Sequence, residues 1–438
     1  GLALWSPYAI SKSSDAIYAV QRKAKIINPY KSTNENNFFR GVGAVIVYDN
    51  FLISGFYSNN YFDANIDSLS NGILSTPIDG YHRTKNEIEK RKSAKEKLLG
   101  IRLDFIEPNN SLEAGFLYYN SKFSNSFIPN DIHDFRRDQF NCYSFYSNFY
   151  FDRMKVFGEA AYDGTSVASV LGTNIQISDN FSFITHIRNY PRNYRNIHAF
   201  AFGEKSGATK NEFGIYSGFQ WSTSIGEINF YYDQFKFPYA TFENPLPSAG
   251  DELLFNLRSK PIKKLESNLR VRYEKKEITR GVGIIESLVN SHKYSIRGEM
   301  TYEHSRSLRI KTRVEAVKVI VKKINADENG ILIAQDVKLS PIKNLTFDAR
   351  ILFFQTDSFN SAIYTFENDL TGLLSSSALY GKGIRWYLLI KYGIANFLTL
   401  SAKYSETYKP LEKSLGTGLA EINTNIDNKI GIQLEISL

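Results

Sequence analysis

The sequence predicts an all-β chain, a large antiparallel, up-and-down transmembrane β-barrel. Three observations carry that prediction. Segments in which apolar and polar residues alternate recur along nearly all of the 438 residues. Many of them run to roughly 9 to 15 residues, where soluble strands average about 5 to 6. The connections alternate between tight turns and long polar loops, as the periplasmic turns and external loops of outer-membrane barrels do. The last segment, Lys429-Ile-Gly-Ile-Gln-Leu-Glu-Ile-Ser-Leu438, keeps strict period-two alternation, with Ile430, Ile432, Leu434, Ile436 and Leu438 on one face. A strand so apolar on one side must pair along its edges or remain adhesive, and closure into a barrel in lipid satisfies both its edges and its face.

Composition agrees with strands rather than helices. Phe (32) and Tyr (28) far outnumber Trp (3), Met (2) and Cys (1), and aromatics suit both pleated sheets and interfacial girdles. No apolar run approaches the roughly 18 residues of a membrane-spanning helix, which excludes a helical membrane protein and leaves a barrel untouched. The lone Cys142 excludes an internal disulfide framework. A net charge of +8 suits nucleic acid, anionic headgroups or an anionic solute without choosing among them.

In order, residues 1–5 read as the upper end of a strand and residues 6–37 as a polar connection. Gly1 opens directly into Leu2-Ala-Leu-Trp5, so the expectation is a barrel domain over 1–438 whose first strands, leader and any further domain lie upstream. Alternating segments follow at 38–49, 51–66, 97–107, 110–124, 141–152, 154–162, 166–177, 181–190, 211–223 and 225–237. The remainder are at 250–260, 264–276, 292–305, 307–321, 329–340, 343–357, 383–393, 396–407 and 428–438. With the stub this makes about 20 strands, and about 22 to 26 in the whole barrel because single-chain bacterial barrels have even numbers. Tight turns fall near Asp49-Asn50, Pro108-Asn109, Asp152-Arg153, Ser178–Asn180, Thr223-Ser224, Pro261–Lys263, Ser305-Arg306, Pro341-Ile342 and Ala395-Asn396. Between them lie the long loops 67–96, 126–140, 191–210, 277–291, 358–382 and 408–427, with Asp163-Gly-Thr165 a short turn on the long-loop side. Loop 67–96 is distinctive: residues 84–96 lack Gly and Pro and favour a short helix. Folded inward, that loop makes His82, Arg83 and Glu87 candidate constriction residues.

Placing the apolar faces toward lipid sends Phe213, Ile215, Phe219 and Trp221 outward on one strand, and Ile384, Trp386, Leu388, Ile390 and Tyr392 on another. The alternate positions then line the lumen, where Arg270, Arg272, Arg297, Arg309, Lys311, Arg313, Arg350 and Arg385 are the candidate lining cations. Glu274, Glu299, Glu303, Glu315, Asp348 and Glu435 share that face and offset their desolvation. Such an interior either holds water or a folded-in segment, or favours anions. Catalytic, metal and cofactor signals are lacking: no pair among the six histidines has helical zinc spacing, and there is no nucleophile elbow or Walker loop. Asp131-Ile-His-Asp134 reads as a solvated turn before a cation site. Arg192, Tyr194 and Arg195 form a candidate polyanion contact, for nucleic acid or lipopolysaccharide headgroups.

Several stretches resemble the outer-membrane barrels of Bacteroidota that often carry an N-terminal competence-type helix-hairpin-helix domain. They are Gly1-Leu-Ala-Leu-Trp5, Lys12-Ser13, Tyr30-Lys-Ser-Thr-Asn-Glu-Asn-Asn-Phe-Phe-Arg-Gly41, Phe56-Tyr-Ser58 with Asp63-Ala64, and Gly80-Tyr-His-Arg-Thr84 with Glu87. Further on come Arg188-Asn-Tyr-Pro191 with Tyr194, Asn211-Glu-Phe-Gly-Ile-Tyr216, Asp233-Gln-Phe-Lys-Phe-Pro238, Tyr364-Thr-Phe-Glu-Asn-Asp369, and Leu379-Tyr-Gly-Lys-Gly383 with Arg385 and Trp386. The resemblance spans nearly the whole chain in order and implies a bacterial outer-membrane location. The helix-hairpin-helix module is not in this sequence, so its DNA binding does not carry over to any residue here. Three non-enzymatic readings follow: a pore or membrane component of a transport or assembly complex, a plugged scaffold whose loops bind partner proteins, and DNA uptake with an upstream domain. Lipid and lipopolysaccharide are the expected surroundings in each.

Overall fold

The computed structural model describes residues 1–4, 12–20, 27, 38–205, 209–241, 244–282, 285–321 and 326–437. The first strands are β1 (Gly41–Tyr48), β2 (Phe51–Phe62), β3 (Asn65–Ile66) and β4 (Ile73–Ser75), followed by the helix α1 (Lys85–Lys90). Then come β5 (Ala94–Ile106), β6 (Leu112–Phe123), β7 (Gln139–Phe151), β8 (Met154–Tyr162), β9 (Val167–Ser178) and β10 (Phe181–Tyr190). The middle of the chain forms β11 (Glu212–Thr223), β12 (Gly226–Phe237), β13 (Ser248–Ile262), β14 (Leu265–Val282), β15 (Ile285–Glu303) and β16 (Leu308–Val321). The last strands are β17 (Ala326–Ile342), β18 (Leu345–Thr356), β19 (Ile363–Glu367), β20 (Ser375–Leu379), β21 (Lys382–Ala395), β22 (Leu398–Tyr408) and β23 (Ile426–Ile436). Among the described residues nineteen strands share one sheet, while β3–β4 and β19–β20 are separate hairpins.

Two compact units divide the chain: Gly1–Gln220 with Tyr231–Gly250, and Trp221–Phe230 with Asp251–Leu438. In the first, β1, β2 and β5 to β10 pair antiparallel in sequence order. In the second, β14 to β18 and β21 to β23 do the same. The tight turns are built as their residues require: Asp49 and Asp152 sit at φ 51° and 44°, in the left-handed region that Asp and Asn tolerate best after Gly.

The exposure pattern decides the environment. On β5, Leu99, Ile101 and Leu103 are 61, 50 and 42 % exposed, while Glu96 and Asp104 on the opposite face are 8 and 3 % exposed. Along β23 the apolar residues Ile430, Ile432, Leu434 and Ile436 lie open, and Gly431, Gln433 and Glu435 between them are less so. A soluble sheet buries its apolar face, since each Å² left in water forgoes about 25 cal/mol. Here the apolar stripe faces out and the charges face in, the arrangement of strands that cross lipid. Trp221, Trp386 and Tyr392 are exposed on the faces expected to meet lipid.

Four expectations need correction. Residues 1–4 form no strand; the backbone of Leu2 and Ala3 is held by side chains of the first unit, and Trp5 lies outside the described residues, as do 28–37 of the quoted connection. Segment 277–291 is no loop, because β14 and β15 pair continuously to Val282↔Ile285, with Ile278↔Val289 and Thr279↔Leu288 supplying strand-forming residues. Pro261 and Pro341 end strands rather than form turns, which follow at 263–264 and 343–344; a proline at a strand end forfeits no ladder bond that the sheet needs. The short helix expected within loop 67–96 is present as α1, but the loop ends earlier than expected, since Ala94 to Glu96 join β5 against β2 and β6.

Candidate functional site: a charged face covered by a hairpin

In the second unit the polar face is a continuous set of ion pairs, and strand register assembles it. Glu315 lies opposite Arg297 and Arg313 opposite Glu299. Arg297 reaches both oxygens of Glu315, at 2.7 and 3.1 Å, and Arg313 Nε donates to Glu315 Oε2 at 3.1 Å. Lys311 pairs with Glu299 at 3.1 Å, and Arg272 bridges Glu252 at 2.7 Å and Glu274 at 3.0 Å. Arg270 stands opposite Arg297, a like-charge pairing that Glu315, 4.0 Å from Arg270, relieves. Farther along, Arg350 lies opposite Asp336 in the next strand and binds it through two bonds of 2.5 and 2.7 Å.

The hairpin β19–β20, within the connection 358–382, lies over this face and takes up its cations. Arg313 donates to the Tyr364 carbonyl at 3.1 Å, and Arg350 donates to that of Phe366 at 2.6 Å. Arg385 grips Glu367 through bonds of 2.5 and 2.9 Å and also reaches Thr407 at 2.6 Å. Lys403 pairs with Asp369 at 2.8 Å, Lys293 reaches the Asn360 carbonyl at 2.9 Å, and the Gln433 amide bonds both backbone groups of Thr371 at 2.7 and 2.9 Å. Alternation along β19 sorts its two faces: Ile363, Thr365 and Glu367 are buried, while Tyr364 and Phe366 point away and stay exposed. Ile363 and Leu379 complete an apolar patch with Val317, Leu332, Leu352 and Phe354. Burial alone would push the Glu367 carboxyl up, but Arg385 and Lys403 outweigh it and hold that group below the ordinary glutamate range.

All eight predicted lining cations therefore sit on the polar-face side of their strands, and seven of them take part in these pairs. Arg309 shares their face but is exposed near the turn at Ser305–Ser307, opposite Glu303. The hairpin itself went unread, although Ile363-Tyr-Thr-Phe-Glu367 has a strand's alternation.

The loop residues of the first unit are arranged differently. His82 Nε2 lies 2.6 Å from Asp63 at the end of β2, and Thr84 with Glu87 forms a capping box at α1, which buries none of its residues. The Arg83 guanidinium, 2.8 Å away, and the backbone amides draw the Glu87 carboxyl down to about 2. These contacts tie His82, Arg83 and Glu87 to a strand end. In the expected polyanion contact one member is corrected: Tyr194 is 1 % exposed, its hydroxyl donates to the Leu2 carbonyl at 2.7 Å, and its ring is not open for stacking. Arg192 pairs with Asp131 at 2.9 Å, and Arg195 donates to the His133 carbonyl at 3.1 Å. Asp134 is engaged by Lys210 at 2.8 Å.

The first unit also contains a buried charge centre that sequence reasoning left without a role. Arg188, with no exposed surface, bonds Glu212 at 2.5 Å and Asp233 at 2.7 and 3.0 Å, and Lys12 reaches Asp233 at 2.7 Å. Nearby, Glu159 accepts the Leu2 and Ala3 amides at 3.0 and 3.3 Å, while Asn196 and Tyr119 donate to the Ala3 carbonyl at 2.8 and 2.9 Å. The first residues of the chain are thereby tied to the polar side of that unit.

The apolar outer face, charged inner face and sequential antiparallel pairing define the class: an all-β, up-and-down sheet of the transmembrane-barrel type. No protein-family model matches the chain, and no curated protein does. Among solved structures it is similar to the copper transporter OprC (9 % identity, 90 % of this chain and 71 % of that one, TM-score 0.49). It is also similar to a chain in the FpvAI–pyocin S2 complex (9 % identity, 81 % of this chain, TM-score 0.42), of which it spans 59 %. A third is OccAB2 of Acinetobacter baumannii (8 % identity, 78 % of this chain and 91 % of that one, TM-score 0.38).

Proposed function

We propose that this chain is a non-enzymatic β-barrel of a bacterial outer membrane that passes polar solutes along its ion-paired inner face, with the β19–β20 hairpin as the element that narrows or gates the passage. The observation that carries the reading is the inversion of the sheet, with Leu, Ile and Trp exposed on one side and Arg, Lys and Glu buried in pairs on the other. Fixed cations beside carboxylates offer a hydrated solute successive weak sites, the condition for passage. Exposed Tyr364 and Phe366 on the far side of the hairpin would line what remains open.

A second reading, a plugged scaffold that conducts nothing and binds partner proteins through its loops, is favoured by two observations: the hairpin takes up cations of the second unit, and Leu2 and Ala3 are tied to side chains of the first. Conductance in planar bilayers separates the two. A pore gives steady unitary currents that increase when residues 359–379 are replaced by a short turn, and a smaller change when 67–96 is removed. Silence in the intact protein and in both deletions would leave the scaffold standing and end the pore reading.

A further inference from the structure

Between the hairpin, β21 to β23 and the connection 409–425 lies a cavity of about 550 Å³. That volume is within the usual range for small-molecule sites, about 300 to 1,000 Å³. Most of the charge around it is already matched: Arg385 is held by Glu367, Lys403 by Asp369, and Lys429 has Asp427 at 3.7 Å; Glu412 lines the same cavity and acts on Lys409 without forming an ion pair with it. Lys409 differs. It is 8 % exposed, its ammonium lies 3.6 Å from the Tyr380 ring centre, and among the described residues it makes no ion pair and no side-chain hydrogen bond. A buried ammonium has three donors to satisfy, and an aromatic face meets only part of that need. The side chains of Ser375, Ser377, Ser405 and Ser414 line the same cavity and, among the described residues, make no hydrogen bond either. One cation without an ion pair and four uncommitted hydroxyls therefore face one space with room for far more than a few waters, each of which takes about 30 Å³.

We propose that this cavity binds a small sugar acid, its carboxylate on Lys409 and its hydroxyls on the serines. A simple inorganic anion would use the lysine and leave the hydroxyls idle; a neutral sugar would do the reverse. The two functions converge only on a hydroxylated anion. The proposal rests on the pore reading for the route by which the ligand arrives, but its binding is measured without conduction, so either can fail alone.

The test is calorimetric titration of the full chain in detergent with glucuronate, glucose and inorganic phosphate. Glucuronate is expected to bind about tenfold or more tighter than either of the others, the scale of a charge-assisted hydrogen bond in a buried site. Lys409→Gln should abolish the preference for glucuronate over glucose, and Lys409→Arg should retain it. Ser377→Ala with Ser405→Ala should weaken both sugars and leave phosphate unchanged, which keeps the test decisive should the lysine variant fail to fold. Equal binding of glucuronate and glucose, equal binding of glucuronate and phosphate, or a preference that survives in Lys409→Gln would overturn the proposal.

Discussion

Glu367→Gln tests the hairpin most directly. The carboxylate has no exposed side-chain surface, accepts from Arg385 at 2.5 and 2.9 Å, and lies 3.5 Å from Lys403. Glutamine keeps the shape and one acceptor but leaves two buried cations facing a neutral amide. Removing one partner of a buried pair costs about 3 to 5 kcal/mol. Arg385 retains Thr407 at 2.6 Å and Lys403 retains Asp369 at 2.8 Å, so the lower end applies. A cost of about 3 kcal/mol moves the ratio of docked to undocked hairpin by roughly 100-fold. The bonds to Tyr364, Phe366 and Thr371 and the apolar patch around Ile363 remain, so the hairpin should loosen without the sheet unfolding. In planar bilayers the variant should open more often, and protease should cut residues 368–374 sooner. A folded variant whose currents and cleavage match those of the parent would refute the assignment of the hairpin as a gate. Acid should act in the same direction. The Glu367 carboxyl titrates below its unfolded value, so its contribution is fully present above about pH 4.3 and is lost as pH falls through the lowered value.

Four further outcomes follow from the same geometry. Arg309→Glu, at an exposed position, should shift ion preference toward cations in bilayer reversal potentials while leaving the barrel folded. Arg313→Glu instead places a third carboxylate beside Glu299 and Glu315 and should impair folding, seen as loss of the compact band on unheated gels; a folded, merely cation-selective variant would contradict the network. Ile432→Arg, at a site 71 % exposed, should destabilise the lipid-embedded protein by about 2 to 4 kcal/mol near the bilayer midplane, whereas at a water-facing site it would be within about 0.5 kcal/mol of neutral. Burial lowers the Lys409 ammonium below the ordinary lysine range, with Glu412 opposing and Asp427, Lys429, Arg385 and Lys403 around the same cavity. Glucuronate affinity should therefore fall as pH rises through that lowered value, before pH reaches about 10.4; affinity constant to that pH would remove Lys409 from the site.

Local alternation was enough to determine most strands of the large sheet and their two faces. A period of two sends Leu99, Ile101 and Leu103 one way and Glu96 and Asp104 the other whatever the partner strands are, so the lipid side and the charged side were legible from residues a few positions apart. The same alternation correctly put Arg297, Arg313, Arg350 and Arg385 on the charged side. What those cations touch depends on register between strands and on a segment returning from a loop. Asp336 meets Arg350 across a ladder, Glu367 reaches Arg385 from the hairpin, and Asp233 meets Arg188 across 45 residues of sequence. Long connections such as 358–382 carry no period long enough to say that they fold back over the sheet. That outcome depends on whether the inner face offers enough unmatched cations and apolar surface to offset the ordering of the loop, and only the assembled tertiary structure decides it.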